Sequence, residues 1–379
     1  MPALPKGMPR LAVSGMELIP VRASARTVWL FVRLVTDAGI SGLGEASDAF
    51  GFANTTKQDA LRMEAELRTF FGVARNCSGI EGYWQAAAPL ARAGGVIAAT
   101  ACSAVQQALQ DIEGQVRGVP THKLLGTQLR QTLPVYANIN RASLPRTPAG
   151  FAATARRAVS DGFRAVKAAP FDGFPGADAA RHLDQGIACM FAIRDAVGEG
   201  VEVMVDCHGF FTVPMAVEVA ERLVACRLNW YEEPVAPELV SETLEIGRAI
   251  PQHLAGGEML FGTEGFAPLC QHRAVEIIMP DVKHCGGLRE LLRIAELAAK
   301  TGITVAPHNP SGPVSTAASV QVGAVLPNFS MLELQWGEAE WRADLLEPAE
   351  RFAAGSILVP QTPGFGIRLN EKLARAHPI

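Results

Sequence analysis

From Leu133 onward, the sequence alternates short runs of β-forming residues with amphipathic helical segments. The β runs are VYANI, FRAVKA, VEVMVD, LNWYEE, HLAGGE, VEIIMPD, ITVAPH and SMLELQ. Segments such as AVEVAERLVACR and LRELLRIAELAAK lie between several of them and space apolar residues at three and four, as helices do. Eight β–α units of about 25 residues each predict an α/β fold, a parallel (β/α) barrel of about 250 residues.

The sequence on either side of this repeat has a different pattern. VWLFVRLVTDAGISGLGEAS indicates a β-hairpin around the turn Asp37-Ala38-Gly39. Residues 96–118 have helical spacing and stop at Gly118 and Pro120. The tail GSILVPQTPGFGIRLNEKLARAHPI returns to turn and strand composition. We therefore predict an N-terminal α+β domain over 1–132, the barrel over 133–350 and a separate C-terminal segment over 351–379.

Charge and cysteine usage limit the classes of partner. The 379 residues carry a formal net charge of -4, with both signs interspersed, so neither nucleic acid nor a membrane surface is an expected partner. No stretch has the roughly 18 consecutive apolar residues of a membrane span, and MPALPKGMPRLAVSG does not read as a secretory signal. Seven cysteines without a CxxC pair suit a reducing compartment, which predicts a cytoplasmic protein.

Three of the predicted strands end in acidic residues. Asp206, Glu232 and Glu258 follow one another at intervals of 26 residues. The C-terminal ends of barrel strands share one rim, so these carboxylates would meet and repel by about 4 kcal/mol per pair at 4 Å. A divalent cation relieves that repulsion, and all-oxygen ligands favour Mg²⁺, with Mn²⁺ possible. One such acid alone would equally suit a solvated loop or a helix N-cap, but three at equal spacing favour a metal site.

The neighbours Glu232 and Glu233 point to opposite faces of the strand, so only one of them can be a ligand, and we assign Glu232. Other polar residues also end predicted strands. Asp281 and His308 lie on adjacent strands and suit a dyad in which the carboxylate fixes the imidazole tautomer and His308 acts as a general base. Lys167 ends the second barrel strand, and Glu333 lies on the eighth.

Asp206 and His208 are two residues apart, so in a strand they face the same side. They either share a site or cap the strand in water.

With these residues the sequence resembles the enolase superfamily, in its mandelate racemase and sugar-acid dehydratase branch. VRLVTDAGISGLGEA resembles the opening hairpin of that family, and SAVQQALQDIEGQVRGVPTHKLLG resembles the helix of its capping domain. PDVKHCGG resembles the turn after the sixth strand, and PGFGI resembles the C-terminal segment that returns to the cap. The resemblance implies a modified barrel under an α+β capping domain, which is made from the N-terminal region and the C-terminal tail.

The resemblance also implies roles for the residues at the rim. Asp206, Glu232 and Glu258 match the Mg²⁺ ligands, and His308 with Asp281 matches the base dyad. The family chemistry is removal of a proton α to a carboxylate, with the enediolate stabilised by Mg²⁺. Glu333 matches a residue that hydrogen-bonds the substrate carboxylate while the enediolate forms.

One departure from the family concerns the second strand. Racemases of this branch carry Lys-x-Lys there, whereas this chain has Lys167-Ala168-Ala169. The second base is therefore missing, and Lys167 is expected to bind the substrate carboxylate or deliver a proton. Asp206-x-His208 resembles galactonate- and gluconate-type dehydratases, in which the histidine protonates the departing hydroxyl. The alternative for His208 is a hydrogen bond to a metal ligand.

These features predict a Mg²⁺-dependent acid-sugar dehydratase, a carbon–oxygen lyase that forms a 2-keto-3-deoxy acid. The alternative is a cycloisomerase, or an epimerase or racemase, of a sugar acid or sugar lactone. A barrel glycosidase and a non-catalytic binding protein fit the strand-end residues less well. The expected partner is a small carboxylate substrate, and the family implies a homo-oligomer, either a dimer or an octamer.

Cap-loop residues predicted to contact the substrate are Arg22, Arg26 and Asn54, although solvated loop positions are an equal alternative. Asp172, Lys283 and His284 lie near predicted strand ends without an assigned role.

Overall fold

The computed structural model describes residues 12–51 and 55–379. Its N-terminal part is a three-stranded antiparallel sheet packed on two long helices. These elements are β1 (Val13–Arg22), β2 (Val28–Thr36), β3 (Ser41–Glu45), α1 (Lys57–Asn76) and α2 (Gly79–Arg117), followed by the short α3 (His122–Leu125). The predicted hairpin is β2–β3, and its turn is made by Gly39, whose positive φ of 78° suits glycine.

Local signals explain where α1 begins. The hydroxyl of Thr56 accepts from the backbone N–H of Asp59, and the Asp59 carboxylate accepts from the backbone N–H of Thr56. This reciprocal capping satisfies backbone donors that the first turn leaves unpaired. Gly44 lets β3 lie against α2, because a Cβ at this position would come within 2.1 Å of the Ala104 carbonyl oxygen.

The next part of the chain is a parallel barrel. Its strands are β4 (Thr132–Asn138), β5 (Ala165–Ala168), β6 (Glu202–Asp206), β7 (Tyr231–Glu232), β8 (Leu254–Gly256), β9 (Ile277–Ile278), β10 (Thr304–Val305) and β11 (Leu332–Gln335). Its helices are α4 (Pro148–Ser160), α5 (Ala179–Val197), α6 (Val213–Arg222), α7 (Val240–Ala249), α8 (Gly262–His272), α9 (Leu288–Ala299) and α10 (Pro313–Gly323), and a 3-10 turn covers Val224–Cys226.

Strands β4 to β10 pair in sequence order, and β11 pairs in parallel with β4. The barrel closes between β10 and β11 through a bridge from Val305 to Phe329, which precedes β11, and through a hydrogen bond from the Glu333 N–H to the Pro307 carbonyl at 3.3 Å. The fold class predicted from the sequence is confirmed. Beneath the rim, apolar side chains fill the barrel interior, including Tyr136 and Trp230 in an edge-to-face contact with ring centroids 5.3 Å apart.

The C-terminal tail connects the barrel to the N-terminal domain. It contains a 3-10 turn (Arg342–Leu345), β12 (Leu346–Glu347), β13 (Phe352–Ala353), β14 (Ser356–Leu358), β15 (Arg368–Leu369) and α11 (Glu371–Ala376). β14 pairs antiparallel with β4, so the tail first extends the barrel sheet. It then reaches the cap, where the backbone N–H of Arg22 donates to the His377 carbonyl over 2.8 Å.

Direct hydrogen bonds fix the N-terminal domain over the C-terminal ends of the barrel strands. The buried Glu45 at the end of β3 accepts from the backbone N–H groups of Gly312 at 2.7 Å and Ser315 at 2.8 Å, where α10 begins. From α2, Gln107 donates to the carbonyl of Val282 at 3.1 Å. The cap therefore covers the rim that carries the predicted site.

Among the described residues, one helix, α2, is long and apolar enough to cross a membrane by length and composition alone. However, 56% of the most apolar 18-residue stretch of α2 is buried inside the protein. In addition, Gly95 has non-helical backbone angles and interrupts the helix. These features are typical of a core helix in a capping domain.

Candidate active site

The three predicted metal ligands meet at the rim of the barrel. Asp206 and Glu232 are the last residues of β6 and β7, and Glu258 lies two residues beyond the end of β8. One carboxylate oxygen from each lies within 4.8 Å of the others, and all three side chains are buried. Parallel pairing of β6 with β7 and of β7 with β8 places these acids side by side.

The electrostatics of this acidic triad, Asp206, Glu232 and Glu258, fit a cation. Burial and the neighbouring Asp206 raise the pKa of Glu232 to about 8, and the same two causes raise the pKa of Glu258 well above its usual value. Within the described part of the chain, Glu258 Oε2 is buried without a partner in hydrogen-bonding geometry. A hard divalent ion would satisfy these oxygens and offset their repulsion, so the triad could hold a metal ion.

Glu233 is turned away from the triad. Its backbone has a left-handed φ of 37°, and its Oε1 accepts from the backbone N–H groups of Gly257 at 2.7 Å and Glu258 at 3.3 Å. Glu232, as predicted, is the member of this pair that joins the triad, whereas Glu233 orients the backbone that carries Glu258.

Lys167 lies at the centre of the acidic side chains. Its buried ammonium is 2.7 Å from Glu232 Oε1, 3.2 Å from Glu333 Oε1 and 3.6 Å from Asp206 Oδ2. Burial alone would lower the pKa of Lys167, but these carboxylates raise it well above its usual value. The lysine is therefore charged and suited to binding an anion, not to accepting a proton.

His308 and Asp281 form the predicted pair. The imidazole Nδ1 is 2.8 Å from Asp281 Oδ2, and Nε2 faces the triad at 3.1 Å from Glu258 Oε2. Lys283 supports the carboxylate through its backbone N–H at 2.7 Å and through a close contact from its ammonium. Burial raises the pKa of Asp281, but Lys283, His284 and His308 lower it more, so Asp281 stays ionised and Nδ1 carries the proton.

Glu333 lies beside this pair and is fully hydrogen-bonded. It accepts from Asn138 Nδ2 at 2.7 Å and from the backbone N–H of Asn309 at 3.0 Å. Burial raises the pKa of Glu333, but Lys167 and His308 lower it further than burial raises it. In this arrangement Glu333 is an ionised acceptor that orients Lys167, so a hydrogen bond from Glu333 to a substrate carboxylate would first require a proton.

His208 approaches the triad through a different carboxylate. Its Nε2 is 2.9 Å from Asp206 Oδ2, and its Nδ1 is 2.7 Å from Asp172 Oδ1. The backbone N–H of His208 also donates to Asp206 Oδ1, and its φ of 48° is left-handed. The contact with Asp206 fits both sequence hypotheses, an acid for the substrate or a hydrogen bond to a metal ligand.

The cap residues are less uniformly placed. Arg26 is exposed in the turn between β1 and β2 and lines a small cleft together with Asp48, Asn140, Arg141 and Asp172. Arg22 lies not in a loop but at the end of β1, paired with Val28, because β1 forms an antiparallel hairpin with β2 that the sequence analysis did not predict. Asn54 lies outside the described residues.

Several polar residues of the cleft were not found by sequence reasoning. Arg141 donates to Asp48 Oδ1 at 2.9 Å, and Ser311 donates to Asp48 Oδ2 at 2.6 Å. Asn138 and Arg141 follow the rule that identified the other rim residues, since they stand at the end of the first barrel strand. Asp48 gives no such signal, because only the docking of the cap brings it to the rim.

Comparison with known proteins agrees with this geometry. Residues 150–373 match the protein family described as "Enolase C-terminal domain-like". Residues 11–126 match the family described as "Mandelate racemase / muconate lactonizing enzyme, N-terminal domain". The fold and site define a capped-barrel enzyme with an acidic centre. The chain belongs to the mandelate racemase and muconate lactonizing enzyme group of the enolase superfamily.

Several relatives of known name are dehydratases. The chain is 30% identical to the D-xylonate dehydratase of Haloferax volcanii, over 98% of this chain and 91% of that protein. It is also 30% identical to the D-galactonate dehydratase of Ralstonia pickettii, over 91% of this chain and 90% of that one. These relatives confirm the prediction of an enzyme in the class of hydro-lyases.

Solved structures show the same architecture across nearly the whole chain. A mandelate racemase/muconate lactonizing enzyme from Jannaschia sp. CCS1 superposes with a TM-score of 0.84 at 27% identity, covering 97% of both chains. One from Sulfitobacter sp. has a TM-score of 0.85 at 29% identity, covering 97% of this chain and 95% of that one.

Proposed function

We propose that this chain is a Mg²⁺-dependent acid-sugar dehydratase that removes water from a sugar acid to give a 2-keto-3-deoxy acid. The observation that carries the proposal is the arrangement of two imidazoles, His308 beside Glu258 and His208 beside Asp206. The Nδ1 of each imidazole contacts a carboxylate, Asp281 for His308 and Asp172 for His208. The two rings can therefore serve as separate proton-transfer groups. The names of the relatives, which include D-xylonate and D-galactonate dehydratases, support the same reaction class.

Asp206, Glu232 and Glu258 would hold the Mg²⁺ ion, with Mn²⁺ as a possible substitute. When bound, the ion would supply positive charge that stabilises the negative charge developing on the substrate carboxylate. Lys167 would add a second positive charge to this region, since its ammonium lies 3.2 Å from Glu333 and 2.7 Å from Glu232.

The first chemical step is assigned to His308. Its Nδ1–H is held by the ionised Asp281, so Nε2 carries the lone pair that takes the proton α to the carboxylate. The negative charge of Asp281 then stabilises the imidazolium that results. Lys283 keeps Asp281 from taking that proton itself, because two N–H groups of Lys283 already donate to this carboxylate.

The second step is assigned to His208. Its Nε2 would give a proton to the hydroxyl on the β-carbon while the C–O bond breaks, so that water leaves and an enol remains. Tautomerisation of the enol gives the 2-keto-3-deoxy acid. Ala169 stands where a racemase carries its second lysine, so a two-base racemisation lacks its usual partner.

The second candidate function is a cycloisomerase or an epimerase of a sugar acid or lactone. The placement of Lys167 favours it, because this buried ammonium lies among the rim carboxylates, 3.2 Å from Glu333, and could return a proton to carbon without loss of a hydroxyl. Solvent deuterium entering an isomerised product, with no keto acid formed, would support this candidate.

The cellular setting is also a proposal. All seven cysteines are free, and six of them are buried, which suits the reducing cytoplasm. The dimer or octamer implied by the family resemblance stays a prediction, as does the division of the chain at residues 132 and 350.

The proposed function is tested by a screen of Mg²⁺-loaded protein against aldonic and aldaric acids, with 2-keto acid detected as its semicarbazone. In His308→Asn the rate of keto-acid formation should fall by at least about 10²-fold, because α-proton removal lacks its base. His272→Asn, an exposed histidine at the end of α8, is the matched control and should leave the rate unchanged. A wild type that loses no water from any of these acids would refute the proposal.

A further inference from the structure

The loop after β5 supplies a carboxylate to the ring of His208. Asp172 lies four residues beyond the end of β5 and follows Ala169, the position at which the second racemase lysine is missing. Its Oδ1 is 2.7 Å from His208 Nδ1, and the side chains of Asp172 and His208 are only 17% and 7% exposed. Because water is largely excluded, this contact is stronger than a similar pair on the surface.

Asp172 is itself held from a second loop, the one that follows β4. Its Oδ2 accepts from Asn140 Nδ2 at 2.8 Å and from Arg146 Nη2 at 3.1 Å. Arg146 also donates to the Asn140 side-chain oxygen at 2.8 Å and to the Ala169 carbonyl at 2.6 Å. The carboxylate is therefore fixed from both sides, with one oxygen left for the imidazole.

The direction of this hydrogen bond determines which nitrogen of His208 faces the triad. A carboxylate can only accept, and burial of Asp172 is outweighed by the hydrogen bonds that hold its pKa below the usual value. Nδ1 must therefore carry a hydrogen. Nε2 is then directed at Asp206, from which it is 2.9 Å away, and rotation of the ring would break the bond to Asp172.

We propose that Asp172 is the positioning residue of the elimination step, which holds Nδ1–H of His208 so that Nε2 can give its proton to the departing hydroxyl. Asn140 and Arg146 hold Asp172 in turn. When the C–O bond breaks, its electron pair goes to the hydroxyl oxygen and the Nε2 proton completes a water molecule. The ring, which begins as an imidazolium with a hydrogen on each nitrogen, becomes neutral and keeps its remaining proton on Nδ1. The inference rests on the proposed dehydratase function.

A different role for Asp172 predicts a different result. Asp172 also lines the small cleft beneath the cap, so it could instead contact a distal hydroxyl of the substrate. Loss of a substrate contact would raise KM, whereas loss of the support for His208 would lower the rate of elimination and leave α-proton removal by His308 intact.

The test is Asp172→Asn in the Mg²⁺-loaded enzyme, with elimination and solvent-deuterium exchange at the α-carbon measured together by NMR. Asn140 and Arg146 both donate to one side of residue 172, so the new amide turns its oxygen toward them and its NH₂ toward His208. The hydrogen bond to Nδ1 is thereby reversed. We expect elimination to fall about 10²-fold or more, while deuterium enters the unreacted substrate at a rate within about threefold of wild-type proton removal.

The matched control is Asp184→Asn, since this exposed carboxylate also pairs with an arginine, Arg222, at 2.7 Å. Both rates should stay at the wild-type value. Combining Asp172→Asn with His208→Asn should cost no more than His208→Asn alone, because the two residues act as one unit. A merely structural effect of residue 172 would add to the effect of His208→Asn.

Three outcomes would overturn the inference: equal loss of exchange and elimination in Asp172→Asn, a raised KM with an unchanged kcat, or additive losses in the double variant. If Asp172→Asn does not fold, Asn140→Ala replaces it and should shift the ratio of elimination to exchange in the same direction, by a smaller factor. Failure of the proposed function is recognised separately, since the wild type would then form no keto acid at all.

Discussion

Replacing Glu258 by glutamine should make the metal-free protein more stable and the metal-loaded protein less stable. Carboxylate oxygens within 4.8 Å of one another repel by about 3 kcal/mol per pair at an effective dielectric constant near 20. Burial and Asp206 raise the pKa of Glu258, so in the metal-free protein the ionised carboxylate is disfavoured by up to about this repulsion. The isosteric amide is neutral without that cost.

The sign of the pH dependence follows from the same shift. A folded-state pKa above the unfolded value gives stability that is complete below pH 4.5 and is lost as the pH rises toward the folded pKa. The gain from Glu258→Gln should therefore be near zero at pH 4.5 and grow as the pH rises, up to the roughly 3 kcal/mol of relieved repulsion. For 379 residues this corresponds to an increase in Tm of about 4 °C.

Added Mg²⁺ should reverse the order of stability. The wild type should gain about 4 kcal/mol at a Mg²⁺ concentration a thousand times its Kd, whereas the variant lacks one of three charged ligands and should gain much less. The assay is thermal unfolding between pH 4.5 and 8, with EDTA or with Mg²⁺. Glu264→Gln, an exposed acid in α8 paired with Arg92, is the control and should change neither dependence.

The reasoning is refuted if Glu258→Gln is less stable than the wild type at pH 7 without metal. It is also refuted if the variant gains as much stability from Mg²⁺ as the wild type does.

Two further predictions concern the cap. Burial raises the pKa of Asp111 from 3.8 to about 6, so stability should fall by about 2 kcal/mol as the pH rises from 4 to 6. Asp111→Asn should remove that decline in urea unfolding, and parallel pH profiles would contradict this. Gly312→Ala places a Cβ 2.8 Å from a buried Glu45 oxygen and should destabilise the protein by about 1 to 3 kcal/mol in thermal unfolding. Gly200→Ala, with open space around it, is the control, and equal Tm values would refute the clash.

The barrel and the acidic triad could be predicted from the sequence because both depend on local patterns. Alternating β runs and amphipathic helices report the β–α repeat. Asp206, Glu232 and Glu258 each stand at a strand end, and in a closed parallel barrel strand ends share one rim. The pair of Asp281 and His308 follows from the same rule, which the 2.8 Å contact between them satisfies.

The cap and the tail could not be placed in the same way. Arg22 was expected in a loop, but pairing with β2 keeps it in a strand. The pairing of β14 with β4 joins residues more than 200 positions apart, and the composition of the tail does not specify a partner.

The sequence by itself determined the eight-unit barrel, the three carboxylates and the two histidines at the rim, His208 and His308. This was possible because hydrophobic periodicity and strand-end polarity are properties of neighbouring residues. Only the tertiary structure decided the surroundings of each group: Lys167 among three carboxylates, Lys283 against Asp281, and Asp172 behind His208. Those contacts join loops and strand ends from different β–α units. Their geometry depends on barrel closure and on docking of the cap, which no local pattern contains.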